Sequence, residues 1–68
     1  MSVNDLLEGG CMVQGPACVI AIDYDGNSSV VYDGEGEDMP HDEEWGDGEI
    51  SHLYYDAVNE RLTIEVEV

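Results

Sequence analysis

The end of the chain alternates between apolar and polar residues. In RLTIEVEV, residues 61–68, every second residue is aliphatic, and these residues are Leu62, Ile64, Val66 and Val68. The residues between them are Thr63, Glu65 and Glu67. A period of two places successive side chains on opposite faces of a strand. The pattern therefore predicts a strand over 61–68, with the aliphatic set facing inward and the Thr and Glu set facing outward.

Four more segments have strand character. ACVIAIDY at 17–24 predicts a strand in which Cys18, Ile20, Ile22 and Tyr24 share one face. The tight-turn sequence at 25–27, Asp-Gly-Asn, then predicts a hairpin with SSVVYD at 28–33. EISHLYY at 49–55 predicts a third strand, followed by a turn at 56–60. CMVQG at 11–15 is expected to add an edge strand that stops at Pro16.

One short helix is predicted near the start. Ser2 and Asp5 form the S-x-x-D signal of a helix N-terminus, and Gly9 and Gly10 follow the apolar pair Leu6 and Leu7. We therefore expect a helix over about residues 3–8. With 68 residues the chain is a single domain. The predicted fold is α+β, a small antiparallel sheet of three to five strands with the N-terminal helix packed on it.

Acidic residues concentrate in DGEGEDMPHDEEWGDGE, residues 33–49, where nine of 17 positions are carboxylates. Its glycines and Pro40 argue against regular structure through the middle. Trp45 is expected to anchor the segment to the core, because its large apolar area favours burial. The segment is therefore expected to be ordered over at least part of its length.

The overall charge restricts the partners. The chain has 17 Asp and Glu residues against one basic residue, Arg61, and its net charge is −16. For solubility, a small domain needs a net charge with a magnitude of only about 2–8. A compact chain of this length should be about 28 Å across, and about 28 Å of duplex DNA carries roughly 16 charges. Nucleic acid and anionic membranes would repel the protein, whereas a basic protein surface would attract it.

Location follows from similar reasoning. The sequence has no apolar run long enough to span a bilayer, and MSVNDLLEGG lacks the basic and apolar regions of a signal peptide. We expect a cytoplasmic protein. Cys11 and Cys18 are then expected to be reduced and at least partly buried, with a disulfide between them as the less favoured alternative.

Catalysis and metal binding find little support in the sequence. No phosphate-binding loop or nucleophile motif is present, so we expect no enzyme activity and no cofactor. Cys11, Cys18, His41 and His52 lack the spacing of common zinc sites. The D-x-D-x-N sequence at 23–27 resembles the start of a calcium loop, but Ser28 and Gly34 occupy the positions that require Gly and Glu.

Four functional interpretations remain. The acidic segment is a solvated loop, the protein is a calcium-binding or other cation-binding module, it is an interaction domain with a basic partner that binds no nucleic acid, or it imitates nucleic acid. Acids outside the segment favour the last, because carboxylates then cover both a loop and a sheet face. A rigid body with such a surface would occupy a basic groove built for phosphates. The expected partner-binding residues are Asp33, Glu35, Glu37, Asp38, Asp42, Glu43, Glu44, Asp47, Glu49, Glu65 and Glu67.

In size, charge and short-strand organisation, with stretches such as VVYDGE, EDMP and LTIEVEV, the chain resembles small acidic proteins of phages and other mobile elements. It is most similar in these respects to DNA mimics, in particular anti-CRISPR proteins. Such proteins share little sequence, so the resemblance assigns no individual residue. It implies a stoichiometric inhibitor without catalysis, directed at the DNA-binding and perhaps PAM-reading surface of a CRISPR–Cas subunit. Restriction enzymes, nucleases and nucleoid proteins are alternative targets.

Overall fold

The structure, a computed structural model of the chain, describes residues 1–9, 13–40 and 43–68. Its single α-helix, α1 (Val3–Glu8), begins with a capping box. The Ser2 hydroxyl accepts a hydrogen bond from the Asp5 amide at 3.1 Å, and the Asp5 carboxylate accepts one from the Ser2 amide at 3.2 Å. These bonds satisfy amides that have no partner within the helix. The predicted helix is confirmed.

Four strands form one sheet: β1 (Pro16–Ile22), β2 (Ser28–Glu35), β3 (Glu49–Asp56) and β4 (Arg61–Glu67). The order across the sheet is β2-β1-β4-β3. The two hairpins, β1–β2 and β3–β4, are antiparallel, whereas the central pair β1–β4 is parallel. The α+β fold class, the strand number and the N-terminal helix are as predicted. The sheet is mixed rather than wholly antiparallel, because the long connection between the hairpins brings β4 beside β1 in the same direction.

The hydrophobic core lies on one face of this sheet. The two central strands contribute its buried residues Ala17, Val19, Ala21, Ile64 and Val66. Val3 of α1 and the loop residues Val13 and Met39 cover them. The other face of the sheet has no helix or loop packed on it in the described part of the chain, so the molecule is a slab of 31 × 29 × 15 Å. Its radius of gyration is 11.0 Å.

The exposure of two residues at the end of the chain differs from what the alternation suggests. Val68, expected to face inward, lies just beyond β4 and is 58% exposed, because the core has ended there. Thr63, expected to face outward, is only 2% exposed. It belongs to the uncovered face, but β4 is a central strand and the side chains around Thr63 shield it from solvent. A period of two specifies which residues share a face, not how well that face is covered.

The first hairpin shows a similar difference. The strand predicted over 17–24 ends at Ile22, and Tyr24 lies in the turn, 99% exposed. Cys18, Ile20 and Ile22 do share a face, although it is the one opposite the core. Within the edge strand expected at 11–15, residues 13–15 are not in a strand, and residues 11 and 12 lie outside the described residues.

No helix in the described ranges is long and apolar enough to cross a membrane.

Candidate functional site

Six carboxylates share the uncovered face of the sheet. Residues paired across neighbouring strands point to the same side, so the register assigns this face directly. The carboxylates on it are Asp33 and Glu35 of β2, Glu65 and Glu67 of β4, and Glu49 and Asp56 of β3. We call this surface, with its six carboxylates, the acidic sheet face. Carboxylates two residues apart on one strand are separated by about 6.6–6.8 Å along the strand.

Arg61, also on the acidic sheet face, holds two strands together across a third. Its Nη1 lies 3.0 Å from Oδ1 of Asp33, so the ion pair runs from β4 over β1 to β2. Cys18 lies between them in the register, fully buried, and burial raises the pKa of its thiol. Cys18 is free and buried, as the sequence predicted. Cys11 lies outside the described residues.

Glu65 is held by two neighbours from the adjacent strand. A hydrogen bond from the Tyr54 hydroxyl to the Glu65 carboxylate raises the pKa of Tyr54. His52 Nδ1 lies 3.6 Å from Oε1 of the same carboxylate. The Glu65 side chain is therefore oriented and partly buried, whereas Glu67 on the same strand is exposed.

Asp56 also lies on this face, although it was not among the predicted partner-binding residues. Its Oδ1 accepts hydrogen bonds from the amides of Val58 and Asn59 at 3.0 and 3.3 Å, and its Oδ2 accepts one from the Asn59 side chain at 2.8 Å. The side-chain bond from Asn59 is the main cause that lowers the pKa of Asp56. The D-x-x-N spacing before the predicted turn was the signal available in the sequence, since Asp commonly bonds backbone two residues on.

The acidic segment is ordered through two short 3-10 turns, Gly36–Asp38 and Glu44–Asp47. Trp45 packs against the core cluster, which confirms the predicted anchor. A second anchor was missed: the buried Asn4 of α1 donates hydrogen bonds to Asp47 Oδ1 at 2.9 Å and to the Glu43 carbonyl at 3.3 Å. Gly46 is buried against the same side chain, where an added Cβ would clash with Asn4 Oδ1.

The structure divides the predicted partner-binding residues into three groups. Asp33, Glu35, Glu49, Glu65 and Glu67 belong to the acidic sheet face, with Glu49 at its edge bonded to the Met1 amino group at 2.9 Å. Glu43, Glu44 and Asp47 lie on the opposite side of the slab, in the layer that contains α1 and Trp45. Glu37 and Asp38 lie in the first 3-10 turn, beyond the end of β2. Asp42 is outside the described residues.

The calcium-like stretch at 23–27 forms the turn of the first hairpin. Asp23 of the calcium-like stretch accepts hydrogen bonds from the amides of Asp25 and Asn27, both at 2.9 Å, and thereby closes the hairpin turn. Within residues 1–9, 13–40 and 43–68, no group of three or more His, Cys, Asp or Glu side chains could hold a metal ion. His41, one of the residues considered for zinc, lies outside these ranges.

Comparisons of the chain with protein-family models, curated proteins and solved structures found no significant match.

Proposed function

We propose that the protein is a stoichiometric inhibitor that presents its acidic sheet face to a DNA-binding protein in place of DNA. The observation that carries the proposal is the acidic sheet face itself, where six carboxylates are accompanied, among the described residues, by one guanidinium (Arg61), the His52 ring and the Met1 amino group at the edge. Strand pairing holds these carboxylates in fixed positions, so binding does not require the ordering of a flexible acidic chain.

The dimensions and charge support the same proposal. The slab is 31 Å long, and duplex DNA of that length carries about 18 charges. The protein carries a net charge of −16. The whole protein therefore carries nearly the charge of a duplex segment of its own length, and six of its carboxylates lie on the acidic sheet face. No helix or loop of the described ranges covers the acidic sheet face, which leaves it open to such a groove.

The proposed target is the DNA-binding surface of a CRISPR–Cas subunit or of another DNA-binding defence protein in the bacterial cytoplasm. The protein would bind the basic target directly, bind no nucleic acid or membrane, and perform no catalysis. Each target molecule would be blocked by one bound inhibitor for as long as the complex lasts.

A competition assay tests this proposal. Purified CRISPR effectors and other DNA-binding defence proteins are loaded with fluorescent target duplex, and fluorescence anisotropy follows its release as the protein is added. We expect displacement from at least one target at a one-to-one ratio, weakening as salt rises from 50 to 200 mM because electrostatic attraction is screened. Full DNA binding by every member of the panel would contradict the proposal.

A matched pair of double variants tests the surface. Glu35→Gln with Glu67→Gln removes two exposed charges from the acidic sheet face, and Glu43→Gln with Glu44→Gln removes two from the opposite side. Both variants have the same net charge. We expect the first to need a markedly higher concentration for displacement than the second. An equal loss of DNA displacement by both variants would show that inhibition depends on the total charge rather than on the acidic sheet face.

A further inference from the structure

A groove with different chemistry lies on the side of the slab opposite the acidic sheet face. Its volume is about 320 Å³, and it opens between the β1–β2 hairpin and the second 3-10 turn. Ala21, Val31, Val68 and Trp45 supply apolar walls, and Ser29 and Glu44 supply the polar lining. Trp45 is only partly buried, so it both packs against the core and lines the groove.

An aromatic ring, aliphatic walls and one carboxylate suit a long cationic side chain. The aliphatic stem of such a side chain lies favourably on apolar surface while its charged end stays near water. Trp is the aromatic residue that binds cations best, and the planar guanidinium of Arg stacks on such rings more often than Lys does. Glu44 is placed to pair with the same charged end.

The chain has no unpaired Lys or Arg side chain that could fill this groove. Arg61 is its only Lys or Arg residue, and it lies on the acidic sheet face, paired with Asp33. A second copy of the chain would bring another net charge of −16 and one Arg that is already paired, so self-association is opposed by charge. Charge complementarity therefore favours a basic partner protein.

We propose that the groove between β1, β2 and Trp45 binds an arginine side chain of a partner protein. The site goes beyond the proposed function and does not depend on it, because the groove and the acidic sheet face lie on opposite sides of the slab. A partner that uses both would hold the slab from two sides.

The chain has a built-in reporter for this site, since Trp45 is its only Trp. The probe is the peptide acetyl-Gly-Arg-Gly-amide, titrated while Trp fluorescence is recorded at constant ionic strength. A peptide with citrulline in place of Arg keeps the shape of the side chain but lacks its charge. A peptide with norleucine in place of Arg tests apolar contact alone. We expect a saturable change with the arginine peptide at millimolar concentrations and at least fivefold weaker binding of the other two peptides.

Two variants locate the binding. Glu44→Gln should weaken binding of the arginine peptide about two- to fivefold, the effect of one exposed ion pair or cation–π contact. Glu8→Gln is the matched control, because it removes an equal charge from the exposed end of α1 and should leave binding unchanged. Ser29→Leu, at an exposed position of β2, fills the groove without changing the charge and should abolish the fluorescence change.

Equal binding of the arginine and citrulline peptides, or undiminished arginine binding by Ser29→Leu, would overturn the groove assignment. Those results would leave DNA displacement by the protein unaffected. Conversely, failure to displace DNA from any target would refute the mimic proposal while the peptide titration could still succeed.

Discussion

Replacing Arg61 with Gln removes the only Lys or Arg side chain from a chain with 17 Asp and Glu residues. Local effects should nearly cancel. The partly exposed pair with Asp33 contributes about 0–1 kcal/mol, whereas the buried Arg61 Nε lacks a hydrogen-bond partner among the described residues, which costs about 1 kcal/mol or more. The main effect of Arg61→Gln should therefore be the loss of a positive charge from the field of all the carboxylates.

The size of that effect follows from the dimensions of the molecule. A radius of gyration of 11.0 Å corresponds to a mean separation of about 16 Å between charges, and an unfolded chain of this length to about 35 Å. With the dielectric constant of water and Debye screening, the attraction of Arg61 to the carboxylates favours the folded state by ~2 kcal/mol at 0.01 M salt. At 0.15 M salt the same sum is ~0.6 kcal/mol.

The assay is unfolding in urea, which is uncharged, followed by Trp45 fluorescence at both salt concentrations. Arg61→Gln should lose about 1.5 kcal/mol more of its free energy of unfolding at 0.01 M than at 0.15 M salt, relative to the unsubstituted chain. Arg61→Lys keeps the charge and serves as the control, with a loss that hardly depends on salt. A loss from Arg61→Gln that is the same at both salt concentrations would refute the long-range reasoning and indicate a local role for the ion pair.

Three further results are expected. Gly46→Ala places a methyl group against the Asn4 side chain and should lower the free energy of unfolding by about 1–3 kcal/mol. Gly34→Ala, which has only the end of the Tyr32 side chain nearby, should be tolerated. Equal unfolding midpoints of the two variants in urea would contradict the close packing at Gly46. The hydrogen bond to Glu65 raises the pKa of Tyr54, so this bond stabilises the fold fully below the unfolded-state Tyr pKa of ~10, and the stabilisation is lost as pH rises through the folded-state pKa. Glu65→Gln should lower the folded-state pKa of Tyr54. An ultraviolet titration measures this pKa as the difference between a chain with Tyr54 and the same chain with Tyr54→Phe. Burial of the Cys18 thiol and its raised pKa should make alkylation slow in the folded protein and fast in urea, as measured by mass spectrometry of the Cys18 peptide; equal rates would show that the sheet opens readily.

The sequence was sufficient to predict the helix and the four strands, although not all of their ends. The capping box at Ser2, the tight turn after Ile22 and the alternation in β4 each depend on interactions between residues close in the chain, which sequence patterns report directly. The anchoring of Trp45 was predictable from its size. The magnitude of the charge is likewise a property of the composition alone.

Tertiary structure decided which carboxylates lie on the same surface. Alternation shows that Glu65 and Glu67 share a face, but only the parallel pairing of β4 with β1 brings that face beside Asp33 and Glu35. The strand order also determines why Thr63 is buried, since a central strand is shielded by neighbours on both sides.

Tertiary contacts also place two parts of the acidic segment, residues 33–49, on different surfaces. It is continuous in sequence, yet the bonds from Asn4 and the packing of Trp45 place Glu43 and Glu44 on the side of the slab opposite Asp33 and Glu35. The sequence therefore determined how much negative charge the protein carries and which segments form strands. The division of that charge between two surfaces depends on contacts between residues far apart in the chain, such as Asn4 with Asp47, which no local pattern encodes.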